Sequence, residues 1–150
     1  MSRDRSRYAR WAGWIMVAQG GLHTLLLGSA ARIHLNDWLD GAVWDNPFPK
    51  TQDPGEVTQQ AAYFWTGPAS FGIPVLLLGA LVVWLARRPV TVPAFLGWGY
   101  GAWGVLCAAI AGPATPFVTA LVPAILLVAA ARQDHESSRA GTPHHERTSA

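Results

Sequence analysis

Four stretches of this chain, at about residues 11–31, 66–86, 92–112 and 116–131, contain no Asp, Glu, Lys or Arg. That placement of charge constrains the fold more than any other feature. The first stretch has 21 residues, enough at about 1.5 Å per residue to cross a hydrocarbon core of roughly 30 Å. Overall 13% of the residues are charged, against about 25% in an ordinary soluble domain, and the deficit lies in these runs. The pattern predicts an all-α protein, a four-helix transmembrane bundle with a short interfacial helix in its first loop.

Residues 1–10 carry Arg3, Arg5, Arg7 and Arg10 and read as a basic, disordered cytoplasmic leader. A cleavable signal peptide is the competing reading, but the run that follows exceeds the usual apolar core of about 7–15 residues. Residues 32–60 form the one sizeable loop, with Asp37, Asp40, Asp45, Asp53 and Glu56. Within it Asn36 is expected to cap a short helix carrying Trp38, Leu39, Ala42 and Val43, lying on the membrane. The second span is expected to bend at Pro68, with residues 61–66 as a helical extension above the surface. The four spans make residues 11–132 one membrane domain, and 133–150 read as a disordered cytoplasmic tail. Arginines in the leader, at Arg87 and Arg88, and at Arg132 place both termini on the cytoplasmic side of an inner membrane. Trp11, Trp14 and Trp84 then lie near the inner interface, and Trp38, Trp44 and Trp65 near the outer one.

Small residues recur at helical spacing on three spans: Gly20, Thr24 and Gly28; Gly67, Ser70 and Pro74 after Tyr63; and Gly97, Gly101, Gly104 and Ala108. In lipid, helix association depends on close backbone packing, so these faces are expected to turn inward. His23 is the one side chain among Asp, Glu, Lys, Arg and His inside an apolar run, and such a residue marks a functional site by default. Its neighbours one turn away are Gln19 and Leu27, and expected partners across the bundle are Tyr63, Ser70 or a carbonyl freed by a proline. A structural lock of neutral histidine onto such a partner is the simpler reading. With Trp44, Tyr100 and Trp103, these groups would shape a mainly apolar pocket in the outer leaflet.

Asp40 and Asp45 could supply a carboxylate at the pocket mouth, although a solvated loop also explains them. His135, His144 and His145 with Glu136 and Glu146 match no defined metal spacing, so no metal or other cofactor is expected. Cys107 is the single cysteine and reads as a packing residue. No phosphate loop, dinucleotide fingerprint, HExxH or nucleophile elbow occurs. The basic residues form no aromatic-interleaved stripe, so nucleic acid is not an expected partner.

Residues 20–25 (GGLHTL), 70–79 (SFGIPVLLLG) and 92–98 (VPAFLGW) resemble segments of a family of small four-span bacterial integral membrane proteins that carries no assigned activity. The resemblance covers about residues 11–131 and implies the four-span architecture. More loosely, the pattern is similar to DoxX-like proteins, to the emopamil-binding sterol isomerase group, and to small membrane isomerases and terpene cyclases. Those isomerases and cyclases protonate a double bond or epoxide with buried carboxylates, whereas this chain has none within its spans.

Three functions follow as expectations. The first is a bilayer-embedded protein that binds a lipophilic, isoprenoid- or lipid-like molecule. The second is a membrane isomerase or cyclase in which Asp40 or Asp45 donates a proton and His23 accepts one. The third is a helper subunit or homo-oligomer that packs its glycine faces against a membrane partner.

Overall fold

A computed structural model describes residues 2–41, 62–67, 69–112 and 115–140. The chain is all-α, with no strand among the described residues. In order come α1 (Ser2–Ala31), a 3-10 turn (Arg32–His34), α2 (Leu35–Leu39), a helical segment at 62–66, α3 (Gly72–Leu85), α4 (Ala94–Ala111), a 3-10 turn (Pro116–Ala120) and α5 (Leu121–Ala140).

Three local features differ from the expectation. The basic leader is helical from Ser2: it holds no Gly or Pro and is rich in arginine, a good helix former, so α1 extends for about 45 Å. The tail is likewise helical to Ala140, because no Gly or Pro interrupts it before Gly141. Asn36 is not the cap of the loop helix. The 3-10 turn runs directly into Leu35, His34 occupies the cap position without a side-chain bond, and Asn36 lies within the first turn; Ala42 and Val43 lie outside the described residues.

The second apolar run is broken rather than bent. The segment 62–66 ends at Gly67, and α3 begins at Gly72. Local bonds re-satisfy the freed backbone groups. Gly67 N–H donates to the Tyr63 carbonyl (2.9 Å), Ala69 N–H to Phe64 (3.0 Å) and Ser70 N–H to Gly67 (3.2 Å). Pro74 falls in the first turn of α3, where its missing N–H costs little.

The chain forms two compact units, Ile15–Ala80 and a second made of Met1–Trp14 with Leu81–Ala150. In the first, α1 and α3 cross at Gly20 and Gly72. A Cβ on Gly20 would strike the Gly72 carbonyl and the Leu76 backbone, and one on Gly72 would lie 2.8 Å from His23 Cδ2. In the second, α4 and α5 cross on the small-residue face. Added carbons at Gly97, Gly101 and Gly104 would lie 2.8 Å from Val128, 3.1 Å from Ala124 and 2.8 Å from Ala120. Gly112 (φ 98°) ends α4 by returning its N–H to the Ala108 carbonyl.

Among the described residues small side chains dominate the core, and many large apolar side chains are exposed. Most buried apolar residues are alanines and valines, such as Ala12, Val82, Ala124 and Ala130, joined by Met16 and Leu127, while Ile110 is 79% exposed, Leu25 72% and Phe95 68%. The segments Ala94–Ala111 and Pro116–Asp134 are long and apolar enough to cross a membrane. α3 has the apolarity but only 14 residues, and α1 has the length but carries Gln19 and His23 in its apolar part.

Candidate functional site

Within the unit Ile15–Ala80, the glycine crossing sets His23 of α1 beside the break that precedes α3. His23 Nε2 lies 2.9 Å from Ser70 Oγ. The imidazole also rests against the Phe71 ring, with centroids 4.2 Å apart and planes inclined by 39°. Beside it, Thr24 Oγ1 donates back to the Gly20 carbonyl at 2.8 Å, which satisfies its hydroxyl inside the crossing.

The contacts around Ser70 favour one tautomer of a neutral His23. A serine hydroxyl has one hydrogen to give and two lone pairs to receive. Ser70 Oγ donates to the Gly67 carbonyl at 2.7 Å, and that oxygen can only accept. Both lone pairs are then filled, by the Gly72 N–H at 3.4 Å and by His23 Nε2. With the Ser70 hydrogen given to Gly67, a neutral imidazole bonds Ser70 through an Nε2 hydrogen and leaves Nδ1 as an acceptor. Among the described residues no hydrogen bond to His23 Nδ1 occurs, and the His23 side chain is half-buried.

Other residues singled out from the sequence lie elsewhere. Gln19 is half-buried, one turn before His23 on α1. Tyr63 leans on His34, centroids 5.1 Å apart, rather than on His23. Asp40 is exposed at the end of α2 and is bonded through its backbone N–H, with no ion pair to His23. Trp44 and Asp45 lie outside the described residues. Tyr100 and Trp103 belong to the other unit, where their rings stand 5.6 Å apart and Trp103 meets Phe117 edge-on at 5.6 Å.

Several features escaped the sequence reading. Phe71, next to Ser70, forms one wall beside the His23 ring. His34 gathers Trp38 and Tyr63 around it and sets Nδ1 3.5 Å from Asp37 Oδ2; its i,i+3 and i,i+4 relation to Asp37 and Trp38 was the available signal. In the other unit Asp134 is buried beside a cavity of about 40 Å³ that Arg88 also lines, where the composition suggests a solvated tail. An opening of about 830 Å³ forms a groove along α4 and α5, walled by Gly101, Val105, Ile125 and Val128 and reached by Arg132. None of the candidate site residues lines it. No cluster of three His, Cys, Asp or Glu side chains able to hold a metal occurs among the described residues.

No curated protein and no solved structure matches the chain. Residues 7–134, which include α1 from Arg7, both glycine crossings and His23, match DUF6463, a family of unknown function, and the chain belongs to that family.

Proposed function

We propose that the chain is a small inner-membrane protein that crosses the bilayer four times, with both termini cytoplasmic, and binds a lipophilic molecule through a hydrogen-bond donor on that molecule. The exposed apolar side chains support the membrane reading. Leu25, Phe95, Ile110 and many other large apolar side chains are exposed, and extended exposed apolar surface marks membrane or partner contact, while the helix contacts are made by small residues, as in lipid-embedded bundles. Cations beside tryptophans add support: Arg88 stands 5.0 Å over the Trp84 ring, and Arg7 and Arg10 line a surface hollow with Trp11 and Trp14, as expected at a membrane interface. The broken segment 62–85 supplies the second crossing, because non-helical backbone is tolerated at membrane depth where other protein groups satisfy it.

The observation that carries the ligand reading is the saturated Ser70 hydroxyl. It engages Nε2 of the half-buried His23 ring, which in the neutral form leaves Nδ1 as an acceptor, on a helix whose neighbouring Leu22, Leu26 and Leu27 are exposed. An acceptor among leucines matches an apolar molecule with a hydroxyl, such as an isoprenoid-like alcohol. The isomerase or cyclase alternative also needs a carboxylate at the same ligand, and Asp40 is not bonded to His23. Binding is therefore the activity for which the geometry supplies a group.

The test compares farnesol with farnesyl methyl ether on the full chain in lipid nanodiscs. A neutral hydrogen bond of about 0.5–1.5 kcal/mol gives the alcohol roughly a 2- to 10-fold preference, which disappears in His23→Leu. Equal affinity of the native chain for the two compounds contradicts the reading.

A further inference from the structure

The groove along α4 and α5 combines three properties. Its walls are almost wholly apolar, with Gly97, Gly101, Ala102, Val105 and Ala109 on α4 facing Leu121, Ile125 and Val128 on α5. From Gly97 to Ala109 it runs for about 18 Å of helix, close to one leaflet of a hydrocarbon core roughly 30 Å thick. At the Gly97 end stands Arg132, exposed and without an ion pair or hydrogen bond among the described residues. Trp98 lines the same end and is also exposed.

We propose that this groove is a binding site for one anionic phospholipid, with an acyl chain lying over Gly101 and Val105 and the headgroup phosphate on Arg132. The volume of about 830 Å³ falls within the usual range for a small-molecule site, about 300–1,000 Å³. The glycines and alanines provide a channel where a chain can lie, and a guanidinium at its end pairs with a phosphate bidentately. A net negative headgroup is selected because a zwitterionic lipid carries its own cation to compete for the phosphate. A transmembrane helix from a second copy is a poorer fit: it extends through both leaflets, whereas the groove extends over one and ends in a positive charge. The site shares the membrane reading above and is independent of His23.

The test uses the full chain in detergent, titrated with phosphatidylglycerol or phosphatidylcholine of matched chains and followed by thermal unfolding and native mass spectrometry. The native chain is expected to hold one phosphatidylglycerol, with a rise in melting temperature that phosphatidylcholine does not match. Arg132→Gln removes that preference, Arg132→Lys keeps most of it, and Ala102→Leu, which fills the groove from its open side, weakens both lipids. The proposal is overturned if the native chain responds equally to the two lipids, if Arg132→Gln leaves the preference intact, or if the bound species is a dimer that Ala102→Leu abolishes. A chain that binds phosphatidylglycerol but shows no farnesol preference upholds this site and refutes the His23 reading.

Discussion

The α1–α3 and α4–α5 crossings are both built on glycine, yet they differ in chemistry. At α4–α5, Gly97, Gly101 and Gly104 approach the α5 segment and the 3-10 turn before it through Ala120, Ala124 and Val128, with no polar side chain in those approaches. At α1–α3, Gly20 and Gly72 approach equally closely, but Thr24, His23 and Ser70 surround the contact and the partner helix is interrupted. Close approach in this chain therefore needs no polar group. An interhelical hydrogen bond in lipid contributes only about 0.6 kcal/mol on average, a small return for placing a histidine in an apolar helix. Both crossings are closely packed, and the His23–Ser70 bond added at α1–α3 is the group on which the proposed ligand reading rests.

The sharpest challenge to that contrast is at Gly20. Gly20→Leu forces its side chain into the backbone of Gly72 and Leu76, which cannot rotate away. A loss of about 3 kcal/mol or more is expected, read as collapse of the circular-dichroism melting transition in detergent. Gly104→Ala meets the methyl of Ala120, and about 1–2 kcal/mol is expected by the same measurement. If Gly104→Ala proves costlier than Gly20→Leu, the ranking of the two crossings is reversed.

Removing the hydroxyl at Ser70 tests the polar part alone. Ser70→Ala is expected to cost about 0.6–1.7 kcal/mol and to free His23 to exchange its proton between the two ring nitrogens, seen as averaged ¹⁵N signals. The smallest effect is predicted for Gly28, where an added Cβ meets nothing within 4 Å. Gly28→Ala should raise stability by about 0.5–1 kcal/mol through helix propensity alone. A loss instead would mean that another chain covers this face, which would revive the helper-subunit reading.

Much of this organisation was legible because it follows from spacing. The Gly97, Gly101 and Gly104 repeat lies within one narrow strip of a helix, and the structure brings that strip onto α5. His23 stands out as the one residue among Asp, Glu, Lys, Arg and His in an apolar run, and Ser70, one of its expected partners, bonds to it. The limits of the helices were less legible. Arginine and glutamine are polar enough to suggest disorder yet favour helix, so the leader and the start of the tail are helical where their polarity alone suggests coil. Pro68 with Pro74 signals a disturbance without showing whether the helix bends or breaks. The groove was hidden for a different reason. The spacing of Gly97 and Gly101 signals packing, and only the fold shows that Ala102, Val105 and Ala109 beside them face an open channel.

The most direct test is the ¹⁵N spectrum of the full chain with labelled histidine in nanodiscs, recorded with farnesol and then with farnesyl methyl ether. Without either compound, His23 should show a protonated Nε2 and a bare Nδ1. Farnesol should move the Nδ1 line toward the hydrogen-bonded range, and the ether should leave it unmoved. An Nδ1 that carries the proton, or a line that ignores farnesol, would contradict the account.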